Sequence, residues 1–574
     1  MIILGLNSHE INSSCAFLKN GKVIFGSNEE RFNREKLTKE FPLKSITYFL
    51  NKNDLKLDSI HSVAQAWNPA ANMVKFNPLL SSKRIKREDY FYSIPDNILN
   101  LDQSNKSRDI NEFVEMNFGK KNIPRVYFIQ HHKCHAANAY FLSNFDSSTI
   151  LTCDFRGEFE STTLSVGRGN KIKQIRSMEM PNSLGMFYAT ITQFLGYKPD
   201  EDEWKVMAMS AFKNKDKSYL KKIKQLYNLL PNGNVNFNKE YFRGEDLSRP
   251  NLYNNKLLKL FGNKSLVERN KKFSDWHISV ASALQSASEE IALHLINNAF
   301  QITKNKNLAL GGGFFMNSVL NGKILERSKF KNIYIPYAPT DSGNSIGAAL
   351  YLNHCIMNKS NNKIENTSLI GPKFSDKEIE ISLKKRKVKF YKVNQIEKEI
   401  SKLIIKHGYV GHFYGNSEFG DRALGNRSIL GDPRYKKIKD KINSAIKYRE
   451  FFRPFAPMVL DQHAENYFEV SKGFTSNYME KVVKIRKKYI EKLGAVAHID
   501  NSARIQTINI KNNLRLGRIL NEFNKLAGVP ILLNTSFNVA GEPMVLNPDD
   551  ALTTFFNSGL MALVMNNYII EKNL

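Results

Sequence analysis

MIILGLNSHEINSSCAFLKNGKVIFGS, residues 1–27, reads as a buried strand, IILGLN, then a polar turn, SHEINSS, then two strands, SCAFLK and KVIFGS, that meet at Asn20-Gly21. Asn-Gly tolerates the left-handed backbone of a two-residue turn, so the last two strands are predicted to pair as a hairpin. The design returns downstream in STILTCD (148–154), the loop FRGEFE, then STTLSVG and KIKQIRS, joined around Arg168-Gly169-Asn170. Two strand-loop-hairpin units predict a duplicated α/β domain.

The chain has 574 residues, too many for one hydrophobic core, so two or three domains are expected. Its 42% apolar and 11% aromatic content fits a well-packed enzyme. No apolar run is long enough to span a bilayer and MIILGLNSHE lacks the features of a signal peptide, so a cytoplasmic protein without a membrane partner is expected. Cys15, Cys134, Cys153 and Cys355 contain no C-x-x-C pair, which argues against a disulfide framework or a zinc ribbon. The charge balance, 84 − 55 = +29, gathers at SSKRIKRED (81–89), LKKRKVK (383–389) and VKIRKKYIEK (483–492). Such patches suit a polyanionic partner, a nucleic acid among them, or a solvated surface with Asn/Ile/Lys coding bias.

Several segments carry chemistry. HHKCHAANAYFLS (131–143) reads as a helix, on which His131 and His135 share a face at the i,i+4 spacing that lets two imidazoles hold one cation; core histidines are the alternative. Asp154 ends a strand, and Asp341 lies in APTDSGNSIGAA, where a Ser/Gly turn enters a small-residue helix. Two imidazoles and two carboxylates suit Fe(II), Mn(II) or Zn(II). In LALGGGFFMNSVLNGKI (308–324), Gly311, Gly312 and Gly313 sit between a strand and a helix and either let backbone approach a phosphate or form a tight structural turn. Asn317 and Asn321 are placed i,i+4 on that helix, within reach of a nucleotide. Between His412 and Leu460, Arg422, Arg427, Arg434, Lys447, Arg449 and Arg453 lie among Gly, Asn and Asp without helical or alternating spacing. The intervening RALGNRSIL and FFRPFAPMVL are too apolar for a solvated face, so this stretch is read as an anion site.

These segments fall in the order found in the O-carbamoyltransferases of nodulation and antibiotic tailoring. GLNSHEINSSCAFLKNGKVIFGSNEERFNREKLTKEFP and SLGMFYATITQFLGYKPDEDEWKVMAMSAF (183–212) resemble that family's N-terminal domain. RALGNRSIL, ARIQTI (503–508), AGVPILLNTSFNVAGEPMV (527–545) and PDDALTTFFNSGLMALVMNNYII resemble its C-terminal domain. The resemblance is weakest at 70–120 and 213–275. It implies an actin-like ATPase (Kae1-like) duplicated domain over 1–355 and a YrdC-like α/β domain over 370–574. The boundary is expected between about 352 and 372, in the polar NHCIMNKSNNKIENTSLIGP.

The implied reaction has two steps. Carbamoyl phosphate and ATP give carbamoyl adenylate in the C-terminal domain, and the N-terminal domain passes the carbamoyl group to a hydroxyl. On that reading Lys447, Arg449 and Arg504 clamp phosphates, assisted by Arg422 and Arg427, with Asn534, Ser536 and Asn538 as neutral donors. His131, His135, Asp154 and Asp341 hold Fe(II) or another divalent metal, with Mg2+ a further candidate. His9 is the expected general base, and Lys205 is either a phosphate contact or a surface lysine. The expected partner is a small-molecule, sugar or nucleoside hydroxyl acceptor, and a homodimer is compatible with the sequence.

The chain departs from the family pattern at Glu10, at Phe155, expected to narrow the nucleotide cleft, at Asn416 in place of an arginine, and at Asp421 in place of a proline. Other classes sharing these features are a nucleic-acid threonylcarbamoyl-type transferase, a hydrogenase-maturation carbamoyltransferase, whose paired-cysteine zinc motifs this chain lacks, and a non-catalytic actin-like ATP-binding scaffold.

Overall fold

The computed structural model describes residues 1–9, 11–71, 88–101, 115–116, 123–214, 216–243, 251–262, 273–360, 365, 367–450 and 452–572. Glu10, most of the 81–89 basic patch and parts of the 70–120 and 213–275 segments lie outside the described residues. Two compact units are present. The first comprises Met1–Glu29, Leu37–Asn317 and Lys323–Thr367; the second comprises Glu30–Lys36, Ser318–Gly322 and Ser368–Leu574.

In the first unit, β1 (Ile2–Asn7), β2 (Ser14–Lys19), β3 (Lys22–Asn28), β4 (Ser62–Gln65) and β5 (Arg125–Phe128) form a sheet in the order β3-β2-β1-β4-β5. A second sheet is built from β6 (Ser147–Cys153), β7 (Glu160–Arg168), β8 (Lys171–Glu179), a strand at Asn307–Gly311 and one at Asn332–Tyr334. Its order matches the first: β8-β7-β6, then the 307–311 strand, then the 332–334 strand. In each sheet the first strand pairs antiparallel with its hairpin and parallel with the strand on its other side. The domain is therefore the actin-like duplication anticipated from the two hairpins. The β2-β3 turn has Asn20 and Gly21 both at positive φ, 51° and 81°, the backbone for which Asn-Gly is suited.

The two central helices cross over between the repeats. The His131–Ser143 helix follows β5 of the first sheet yet packs on the 307–311 strand of the second, while the Asn344–Tyr351 helix follows the second sheet and packs on β1 of the first. Glycines permit this closeness. A Cβ on Gly5 would stand 1.9 Å from the Ser345 carbonyl oxygen, and one on Gly347 would stand 2.0 Å from that of Cys134.

The second unit is a nine-stranded mixed sheet. Along the Ile531–Ser536 strand, Ile531 and Leu533 enter the core on one face and Leu532 that on the other, the period-two pattern of a strand covered on both sides. The Ile396–His407 and Leu514–Ala527 helices cover the Leu532 face with Ile400, Leu403, Ile404, Leu516, Ile519, Leu520 and Phe523. Asn513 caps the second helix by accepting the Leu516 N–H, and Gly528, at φ 69°, ends it. Glu30–Lys36 is held by Arg31, which donates to the carbonyls of Glu418 and Gly420, and by Arg34, which donates to those of Pro543 and Met544.

Candidate metal cluster and cationic pocket

In the first unit the His131–Ser143 helix begins on its first ligand candidate. Gln130, at its N-cap, makes no side-chain cap. Instead the buried Glu158 carboxylate accepts the His131 N–H at 3.0 and 3.1 Å and the Asn68 N–H at 2.7 Å. A carboxylate is favoured at that positive helix end. One turn on, His135 points the same way.

Nε2 of His131 and Nε2 of His135 are 3.0 Å apart, and Asp154 Oδ2 lies 2.9 and 3.0 Å from them. Asp341 Oδ1 is 3.4 Å from each nitrogen. One ligand atom from each residue thus falls within 4.8 Å of all the others. Donors bound to a common cation at 2.0–2.2 Å stand roughly 3.0–3.4 Å apart, so the residues present fit a divalent metal. Electrostatics agree: burial opposes charge on His131, but Asp341 and Asp154 outweigh it and push its pKa up to about 9. Burial likewise opposes ionisation of Asp154, yet hydrogen bonds from both histidines hold its carboxyl well below the usual range.

His132, on the same helix, is not aimed at the cluster. Its ring contacts Thr152 Oγ1 at 2.8 Å and the Glu160 carbonyl at 3.0 Å, and burial keeps it neutral.

The N–H of Gly312 donates to Pro339 and that of Gly313 to Asp154 Oδ1. A Cβ on Gly311 or Gly312 would strike His135 or Cys153 backbone. The glycine run accordingly packs the strand end against the cluster, with these two amides already committed. No single helix carries Asn317 and Asn321: Asn317 ends a short 3-10 turn at ψ 81°, and Asn321 closes the four-residue Ser318–Asn321 helix. Asn317 exchanges two hydrogen bonds with Gln285, and Asn321 donates to the Glu480 carbonyl. Lys205 pairs with Asp202 at 2.9 Å, one helical turn away. Phe155 packs into the hydrophobic core with Phe159 and Met186 rather than narrowing a cleft. His9 follows β1 at φ 64°, with Nδ1 3.0 Å from Ser8 Oγ and its ring against Tyr90.

In the second unit the basic residues divide into two groups. Arg427 is fully buried, stacks on Phe413, and donates to the carbonyls of Leu546, Tyr414, Asn426, Pro372 and Gly415. It is a scaffold for its own loop. Arg434 forks onto Asp432, and Asn416 donates to the Gly371 carbonyl. Arg427→Met should cost about 3 kcal/mol or more, read from the unfolding midpoint, because several buried carbonyls lose their donor.

The other group crowds together. A π-helical turn, Asn443–Lys447, leads into Tyr448 at φ 41°, so Lys447 and Arg449 flank a sharp reversal. Lys447 Nζ donates to Ser536 and Asn538, at 2.6 Å to the Ser536 carbonyl and 2.6 Å to Asn538 Oδ1. Arg449 lies over Phe455, donates from Nε to Asn443 Oδ1, and has Nη2 buried without a partner. Burial and the neighbouring cations Arg449 and Arg453 hold the Lys447 pKa well below its ordinary value. Burial with Arg453 and Arg504 does the same to Arg449. Burial with Arg422 and Arg453 brings Arg504 down to about 9. Asn534 donates to Gln506 Oε1 and to the Ala423 carbonyl. Arg422 donates to the Tyr478 carbonyl. Neighbouring cations that repel one another, partly or wholly removed from water, suit an anion.

Sequence reasoning did not single out Glu158 as a helix cap, nor Glu418, whose buried Oε1 accepts three backbone N–H groups and shapes the 418–427 loop. Glu158 meets residues 27 and 90 positions away in the chain, and Glu418 meets residues 6 to 9 positions on along an irregular loop, so no periodic signal marks either.

The carbamoyltransferase N-terminal family model matches residues 2–350, and the carbamoyltransferase C-terminal model matches residues 401–572. The chain belongs to the carbamoyltransferase family, and it is a transferase. Nodulation protein NolNO of Sinorhizobium fredii is 34% identical over 99% of this chain and 80% of that protein. Nodulation protein NolO of Bradyrhizobium diazoefficiens is 34% identical over 77% of this chain and 79% of its own length. An uncharacterized protein of Synechocystis is 32% identical over 99% of this chain and 96% of that protein. Among the described residues no helix is long and apolar enough to cross a membrane.

Proposed function

We propose that this carbamoyltransferase acts on a hydroxyl, driven by ATP, with carbamoyl phosphate as donor and carbamoyl adenylate as the intermediate. The observation that carries the reading is the gathering of the buried Lys447 with the half-buried Arg449, Arg453 and Arg504, whose charges act on one another. Their mutual repulsion is relieved by a polyanion, and adenylation brings two together.

The chemistry balances in three steps. Carbamoyl phosphate and water give carbamate and inorganic phosphate. Carbamate oxygen attacks the α-phosphorus of ATP, expelling pyrophosphate. The acceptor hydroxyl then attacks the carbamoyl carbon and AMP leaves. In the adenylation steps Arg449 and Arg504 neutralise phosphate oxygens, while Lys447 fixes the Ser536–Asn538 loop. In the transfer step His9 takes the hydroxyl proton, and His131, His135, Asp154 and Asp341 hold the divalent cation. That cation supplies Lewis acidity toward phosphate or carbonyl oxygen when bound.

The first domain, 1–355, is assigned the transfer and the second, 370–574, the adenylation. Limited proteolysis is expected to cut first between about 352 and 372; stable fragments starting well inside 380–450 would refute the division. The reaction is tested by product release. With ATP alone the protein should release neither AMP nor pyrophosphate above background; adding carbamoyl phosphate should bring out inorganic phosphate and pyrophosphate in equal amounts, and AMP should follow when an acceptor hydroxyl is supplied. ADP as the nucleotide product would overturn the adenylate route and favour the actin-like ATPase scaffold.

A further inference from the structure

Asn344 is fully buried, three residues after Asp341 at the start of the Asn344–Tyr351 helix. Its Nδ2 stands 3.2 Å from Nε2 of His135 and 3.5 Å from Nδ1 of His131, and its Oδ1 is buried with no hydrogen-bond partner. That is a poor use of a buried amide. Nε2 of His135 already faces His131, Asp154 and Asp341, so its one lone pair is directed at the position a cation takes. Nothing remains there for an amide N–H to donate to.

The two ends of a side-chain amide have nearly the same shape, and a half-turn exchanges them. Oδ1 then stands where Nδ2 now is, 3.2 Å from the His135 nitrogen, a separation proper to neighbouring donors on one cation. The same turn gives Nδ1–H of His131 an oxygen to donate to. That tautomer leaves Nε2 of His131 free for the cation.

We infer that Asn344 is a fifth donor of this cluster, offering its amide oxygen and turning a two-nitrogen, two-oxygen set into a two-nitrogen, three-oxygen set. Oxygen-rich sets with more than four donors suit Fe(II) or Mn(II), whereas tetrahedral closure by four suits Zn(II). Asn344 thus selects the metal. The inference rests on the metal reading above, and its test separates the two.

The full-length protein, stripped with a chelator, is titrated with Co(II) as a spectroscopic probe and then with Mn(II) and Zn(II) in competition. Wild-type protein should give the weak visible bands of five- or six-coordinate Co(II). Asn344→Leu, close in size but without a donor, should give the intense bands of a four-coordinate site and lose about tenfold or more in Mn(II) affinity, with Zn(II) affinity little changed. Asn344→Asp restores an oxygen donor and should keep the weak bands, which also guards against a Leu variant that fails to fold. Identical spectra and identical Mn(II)/Zn(II) preference in wild type and both variants would overturn the inference alone. Tetrahedral Co(II) in the wild type would do so too. Failure of the wild type to bind any of the three ions would overturn the metal reading with it.

Discussion

His131→Ala and Asp341→Asn are each expected to remove bound metal and abolish carbamoyl transfer to the acceptor, while carbamoyl-phosphate-dependent release of pyrophosphate continues. His131 contributes a nitrogen 2.9 Å from Asp154 and 3.0 Å from His135, so its loss opens one side of the cluster and leaves Asp154 and the half-buried Asp341 to His135. Loss of such a donor should exceed the roughly 10–100-fold in metal affinity that removal of an outer hydrogen bond costs. Asp341→Asn keeps the shape and removes the charge, which separates coordination from packing. Metal content is read by elemental analysis and adenylation by pyrophosphate release. Unchanged metal in both variants would contradict the assignment.

Arg449→Lys is expected to lower adenylation at least tenfold, about 1.4 kcal/mol or more of transition-state stabilisation, with metal content unchanged. Lysine keeps the charge but loses the planar fork, one arm of which, Nε, is spent on Asn443 while Nη2 has no protein partner. Arg386→Lys is the control. Arg386 makes an exposed pair with Asp549 at 3.2 Å, of the kind that contributes little. Equal effects at the two positions, with no loss at Arg449, would mean that only overall charge matters, and the anion site would have to be given up.

The duplication was legible because a hairpin declares itself locally: Asn20-Gly21 names the turn, and alternating apolar residues name the strands on either side. His131 and His135 were legible for the same reason, through helical spacing. What placed Asp154 and Asp341 beside them is tertiary, the crossing of two helices between sheets at Gly5 and Gly347, and no spacing announces it. The arginines mark where pattern stops short. Arg427 and Arg449 look alike in sequence, in the same Gly- and Asn-rich stretch. Yet one faces five carbonyls and the other keeps buried nitrogen without a partner, because which way a guanidinium points depends on the backbone it meets. The glycines at 311–313 fit either a phosphate approach or a tight turn in sequence, for want of the same information. Their Cα atoms are needed bare to let the strand end meet His135 and Cys153.

On the proposed route the chain moves an intact carbamoyl group through an adenylate to a hydroxyl. The most direct measurement supplies carbamoyl phosphate labelled in its carbamoyl carbon, with ATP and a panel of sugar, aminoglycoside-like, polyketide, nucleoside and nucleic-acid acceptors. The account predicts label in an O-carbamate of a small-molecule acceptor, with one AMP formed per label transferred and none transferred when ATP is replaced by ADP. Label transferred without ATP, or only to a nucleic acid, would contradict it.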